Sequence, residues 1–165
     1  EGVITPHLAP GLRHLKGLHG SEDKEPHRKI VVLRPGAKTR RLTNSTELLL
    51  ALKGWETVVL ENMTIREQMK TFAEATHIVA AHGAGLVNLL WCKPGTKVIE
   101  IQDTKMIHKK VYPILSHHLG LKHELYLADT VPIKLEDGKK PKGIKRISDL
   151  INFKIDIPDL LKYLD

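Results

Sequence analysis

Short apolar runs alternate along the chain with stretches of helical periodicity, and that alternation predicts a sheet whose strands are separated by helices. Ile30 to Leu33 reads as a short buried strand, followed by a basic loop from Arg34 to Leu42. Asn44-Ser45-Thr46-Glu47 offers an N-cap with an acidic residue in the first turn, opening a helix that runs to about Gly54. Thr57 to Leu60 reads as a second strand. Thr64-Ile65-Arg66-Glu67 is a capping box, and the helix behind it, to about Ala75, carries Ile65, Met69, Phe72 and Ala73 as an apolar stripe. A third strand from His77 runs into the glycine turn His82-Gly83-Ala84-Gly85, a short helix, a Pro94-Gly95 turn and a fourth strand from Lys97 to Ile101. Ile107 to Leu119 is helical in pattern with Pro113 as a kink, and His123 to Leu127 gives a fifth strand.

The ends are less regular. Residues 1–28, rich in His, Gly, Pro and charge, read as a linker or entry segment with room for a short helix around Leu12 to Leu18. Asp129 to Ser148 contains an aperiodic basic loop, Asp137 to Arg146; Ile151 to Ile157 then alternates as a strand, and Pro158 opens a short terminal helix. Residues 29–165 therefore read as one α/β domain, a Rossmann-like parallel sheet with helices on both faces, whose ligands bind outside the carboxyl ends of the strands.

Charge narrows the class of ligand. With 26 Lys and Arg against 19 Asp and Glu, the formal charge of +7 favours anionic partners. Aromatic residues make up only 4%, and no basic stripe is interleaved with them, so a base-stacking nucleic-acid platform is disfavoured while a mononucleotide stays open. The single cysteine, Cys92, can form neither an internal disulfide nor a thiolate metal cage. The ten histidines are scattered without helical metal-ligand spacing, so no metal site is expected. No apolar run approaches the ~20 residues of a membrane span, and a chain opening on Glu1 is expected to be part of something longer. Asn44-Ser45-Thr46 and Asn62-Met63-Thr64 fit the N-glycosylation acceptor, but each Asn also has a helix-start explanation.

The candidate chemistry gathers at one sheet edge. A strand running into His82-Gly83-Ala84-Gly85 leaves bare N–H groups at a helix start, which suits a phosphate; tight strand-to-helix packing is the plain alternative. Arg34 ends the first strand, and Arg40 and Arg41 follow in its loop, so three planar guanidiniums can converge there, although loop arginines often only face solvent. His82 can donate to a diphosphate oxygen or stabilise a leaving group as imidazolium, or simply cap the strand. Glu100, near the end of the fourth strand, is placed like a carboxylate that binds ribose hydroxyls, or one that faces solvent, and Asn88 can hold the turn through local hydrogen bonds. The third glycine of the dinucleotide fingerprint is absent, as are a P-loop and the Gly-x-Ser-x-Gly elbow of an esterase.

Read in order, Arg34 with Arg41 and Asn44, the helix ending at Ala75, His82-Gly83-Ala84-Gly85-Leu86-x-Asn88, Pro94-Gly95 and Val98-Ile99-Glu100, the chain resembles glycosyltransferase family 61 from about Lys29 to its final helix. The resemblance implies one half of a two-domain GT-B type enzyme of glycan biosynthesis, the carboxyl-terminal half that binds a nucleotide sugar, usually UDP-linked. It also implies inverting transfer to a glycan or glycoprotein acceptor with no obligatory metal, and an amino-terminal acceptor-binding half missing here together with any catalytic base it supplies. In that reading Arg34, Arg41 and the turn from His82 through Gly83 and Ala84 to Gly85 neutralise the diphosphate as it leaves, while Glu100 orients the ribose. A non-catalytic nucleotide- or polyanion-binding module, using the basic loop from Lys139 to Arg146, is the competing reading. The compartment is left open between a bacterial cytoplasm or membrane periphery and a eukaryotic secretory lumen.

Overall fold

A computed structural model describes residues 25–104, 110–133 and 150–164. Residues 1–24 of the expected linker, with its short helix, and the basic loop from Asp137 to Arg146 lie outside these residues, while Arg28 at the linker's end is the first residue of a strand. Five parallel strands, β1 (Arg28–Leu33), β2 (Glu56–Val59), β3 (Ala75–Ala81), β4 (Lys97–Gln102) and β5 (Lys122–Leu127), form one sheet in the order β2-β1-β3-β4-β5. The order reverses between β1 and β3, and an open parallel sheet leaves its ligand crevice beyond the carboxyl ends of the two strands at such a point. Arg34 follows β1 and His82 follows β3, so both border that crevice.

Helices cover both faces, as the alternation predicts. Ile30, Val32, Ile78, Ala80 and Val98 point to one side and pack with Phe72, Leu86, Leu89, Cys92 and Leu115. These come from α2 (Ile65–Ala73), the 3-10 helix Ala84–Trp91 and α3 (Val111–Leu119). Val31, Val79, Ile99 and Ile101 point to the other side and pack with Leu48, Phe153 and Leu160, where α1 (Ser45–Ala51) and α4 (Ile157–Leu161) lie. The reciprocal capping box of α2 is present: the Glu67 N–H donates to Thr64 Oγ1 at 3.3 Å and the Thr64 N–H to Glu67 Oε2 at 2.7 Å.

Several local expectations are corrected. Ile65 is 76% exposed, because α2 turns its Phe72 face to the sheet and leaves its first residue in solvent. Pro113 makes no kink; it falls in the first turn of α3, where a missing N–H breaks no helical bond. The helix after the glycine turn is of the 3-10 type. Asn44 precedes α1 without capping it through its side chain. Its amide instead donates to the Ile155 carbonyl at 2.8 Å and accepts from the Ile155 N–H at 3.1 Å.

A second, two-stranded antiparallel sheet joins β6 (Asp129–Pro132) to β7 (Ile151–Lys154). Its function in the fold is to hold the loop that follows β1, Arg34 to Leu42. The Arg40 and Thr43 N–H groups donate to the carbonyls of Ile151 and Phe153 at 2.6 and 2.8 Å, and the Phe153 N–H donates to the Arg41 carbonyl at 2.8 Å. Asn152 Oδ1 accepts from the Arg41 N–H at 3.0 Å. The loop after β1 is thus bonded like an extra strand rather than left to solvent, because Phe153 beneath it is wholly buried.

Candidate functional site

The glycine turn and the first arginine meet directly. Gly83 is buried with an extended backbone, and a Cβ there would lie 3.2 Å from Arg34 Nη1 and 3.7 Å from Arg40 Nη1. A side chain there would press on the Arg34 guanidinium, which would have to give by a few tenths of an ångström, while the contact with Arg40 would be ordinary. At Gly85 the constraint differs, since a Cβ would come within 2.7 Å of Leu60 Cδ1, so this glycine lets the 3-10 helix pack closely on its neighbour. Ala84 between them is exposed at the crevice.

Arg34 Nη1 is buried and makes no hydrogen bond among the described residues. A guanidinium N–H withdrawn from water without an acceptor costs free energy, so this atom marks a place where an acceptor belongs. Arg40 is held differently: its backbone takes the left-handed conformation at φ 60°, unfavourable for a residue with a Cβ, and its Nη1 donates to the His82 carbonyl at 2.9 Å. Arg41 is exposed and stands farther along the loop. Arg34 and Arg41 line a cavity of about 410 Å³ with Leu33, Pro35, Thr43, Ser45 and Asn152. Arg34 both lines that cavity and packs against Gly83 of the glycine turn.

His82 and Glu100 are brought together, on a pattern that the ribose assignment does not anticipate. The two strands pair Ala80 with Glu100, so His82, two positions on, projects from the same face. Its Nδ1 hydrogen-bonds Glu100 Oε1. The other carboxylate oxygen, Oε2, lies 3.0 Å from His123 Nε2, and His123 Nδ1 lies 2.7 Å from Ser116 Oγ on α3. Glu100 is wholly buried, with both oxygens engaged inside the protein. Burial would push its carboxyl up, but hydrogen bonds from His123 and His82, the His82 charge and Gln102 together hold it below the usual value of 4.5. The Tyr112 ring packs edge-on against His82 at 5.4 Å, and burial, with the nearby Glu100 charge, raises its phenol.

Asn88 is buried and bonded within the protein. Its Nδ2 donates to Gln68 Oε1 at 3.0 Å and to the Gly85 carbonyl at 3.1 Å, tying the turn to α2. His123, Ser116, Gln102 and Tyr112 escape the sequence reading. The signal for Gln102 was present: Val98, Glu100 and Gln102 alternate onto a face that is otherwise apolar, and polar residues there need partners. Among the described residues no three His, Cys, Asp or Glu side chains are grouped so as to hold a metal ion. Nor is any helix among them long and apolar enough to cross a membrane.

The glycosyltransferase 61 family model matches residues 3–99, more than half of the chain. Over 127 residues, 71% of this chain and 21% of the relative, the sequence is 29% identical to the beta-1,2-xylosyltransferase RCN11 of Oryza sativa subsp. japonica. It is 30% identical over 86 residues to protein O-linked-mannose beta-1,4-N-acetylglucosaminyltransferase 2 of Takifugu rubripes, covering 49% of this chain and 15% of that one. The beta-1,2-xylosyltransferase of Arabidopsis thaliana is 25% identical over 114 residues, 59% of this chain and 21% of its own. The chain thus spans about a fifth or less of the length of these curated relatives. Matched by its family model across β1 to β4 and by relatives that carry glycosyltransferase names, the chain belongs to glycosyltransferase family 61.

Proposed function

We propose that the crevice beyond β1 and β3 binds the diphosphate of a nucleotide sugar, UDP-linked, and that this chain is the donor-binding part of an inverting glycosyltransferase. The observation that carries the reading is the buried Arg34 Nη1 without an acceptor, packed against Gly83. A diphosphate oxygen supplies the missing acceptor, and a planar guanidinium suits it. The exposed Ala84 and the bare amides at the start of the 3-10 helix offer further donors. Charge building on the departing diphosphate is then met by Arg34, Arg41 and His82, the electrostatic work that a metal performs elsewhere, so no metal is required. Relatives named as xylosyl- and N-acetylglucosaminyltransferases support a sugar donor. The acceptor, a glycan or glycoprotein, and a base to deprotonate it are assigned to the larger part of the enzyme outside this chain.

Calorimetric titration with UDP tests the reading. Binding that survives EDTA and weakens at least tenfold in Arg34→Ala is expected. Absence of UDP binding, or equal affinity in Arg34→Ala, overturns it. The alternative polyanion module depends on Lys139 to Arg146, outside the described residues, and predicts that neutralising Lys139, Lys140 and Lys142 matters more than Arg34.

A further inference from the structure

The linked groups Ser116, His123, Glu100 and His82 run from α3 across β5 and β4 to the crevice, inside an otherwise apolar layer. A fold does not need such a chain for packing, and each buried polar group in it demands a partner. An ionised carboxylate only accepts hydrogen bonds. Glu100 is held below the ordinary carboxylate range, so both nitrogens that face it carry protons: Nδ1 of His82 and Nε2 of His123. That leaves Nε2 of His82 as the one ring nitrogen of the pair without a hydrogen bond among the described residues, on a side chain that is 10% exposed. The remaining neighbours of the ring are fixed too: Tyr112 packs from α3, Gln102 Nε2 lies 3.4 Å from Nδ1, and Arg40 holds the His82 carbonyl.

We propose that Glu100 and His123 are positioning residues for His82: the carboxylate holds the ring with a proton on Nδ1 and supports its doubly protonated form, in which Nε2–H donates to an anionic diphosphate oxygen in the crevice. This rests on the donor-binding reading for the identity of the ligand, but not for the ring geometry. It gives Glu100 a part in the site without contact to the sugar or ribose. His123 supports the carboxylate from the far side, and the Ser116 hydroxyl completes the bonding of His123 Nδ1. Imidazole in water prefers the proton on Nε2, so an Nδ1–H ring at position 82 is a distinctive consequence.

Nitrogen-15 NMR of the histidine rings reads it directly, with His82→Gln identifying the resonances. In the unaltered chain His82 Nδ1 is expected to be protonated, and adding UDP should bring Nε2 to the protonated state as well while Nδ1 stays protonated. Glu100→Gln removes the carboxylate that holds Nδ1 and supports the doubly protonated ring, so UDP should no longer bring both ring nitrogens to the protonated state, and its binding should weaken about tenfold. His123→Gln, whose amide can still donate to Glu100, should keep the ring state and stay within about twofold in affinity, whereas His123→Leu should lose both; this pair decides the matter if Glu100→Gln does not fold. A bare Nδ1 in the unaltered chain, or a ring state indifferent to both Glu100→Gln and His123→Leu, overturns the proposal. No UDP response in a chain whose His82 is nonetheless Nδ1-protonated sinks the donor reading and the presentation of Nε2 to a diphosphate, and leaves the positioning of the ring standing.

Discussion

At the amino end of the sheet Lys29, His77, Lys97 and Lys122 lie in one cross-strand row, each in register with the next, while at the carboxyl end Arg34, Arg40 and Arg41 share a single loop. Cations directly opposed across strands repel one another, yet the row has local partners. Lys29 Nζ sits 5.9 Å from the Trp55 ring centroid, Trp55 packs edge-on against His77, and Lys97 Nζ lies 3.7 Å from Glu124 Oε1. The carboxyl end has no such arrangement around Arg34, whose Nη1 is buried beside Gly83 without an acceptor. Two equally basic edges therefore differ in kind. One uses flexible ammonium groups on a solvated face; the other buries a rigid fork against bare backbone, which is what recognition of a diphosphate asks for.

The comparison breaks most readily at Arg34. Arg34→Ala is expected to cost about 1.5–3 kcal/mol of UDP binding, the range for a hydrogen bond to a charged group, while the combined change of Lys29, Lys97 and Lys122 to Gln leaves UDP affinity unaltered in the same calorimetric series. A loss shared by both variants would mean that net charge, not the site, attracts the nucleotide. Gly83→Ala comes next. Its methyl would press the Arg34 guanidinium aside by a few tenths of an ångström, so UDP affinity should fall several-fold with a stability change of about 1 kcal/mol or less by thermal melting.

Thr64→Ala separates the site from its surroundings. Loss of the capping box should lower stability by about 1 kcal/mol, with UDP affinity unchanged once the folded fraction is accounted for. The smallest effect belongs to the amino end. Burial, then the charges of Lys29, Lys97 and Lys122, hold the His77 imidazole below its ordinary 6.5, so the unfolded chain takes up this proton more readily than the folded one. Stability contributed by neutral His77 is full above 6.5 and falls as the pH drops from there through the depressed folded value. Denaturation curves of His77→Gln should be flatter than those of the parent across that window, and identical slopes would remove the row's electrostatic account.

Legibility followed the range of the interactions. The capping box at Thr64 and Glu67 and the strand that begins at Lys97 were readable because their determinants lie within a few residues. Asn44 holds the N-cap position, but its side chain does not cap the helix because its partner, Ile155, is remote in sequence. Glu100 shows the same limit. Its place near a strand end was visible, but whether that carboxylate meets ribose, solvent or two histidines depends on which strand lies beside β4 and on α3 above it.

The order of the five parallel strands and the helices between them, and with it the α/β class, was determined by the amino-acid sequence itself, since periodicity and turn chemistry act locally, whereas β6 fell in a stretch without a readable period. Tertiary structure decided which residues meet. It folded β7 under the loop after β1, left Arg34 Nη1 without an acceptor among the described residues while Arg40 bonds a carbonyl, and enclosed Glu100 between His82 and His123. The physical reason is that a buried charge or N–H is costly unless partnered, and only packing between distant segments fixes where burial falls and who the partner is.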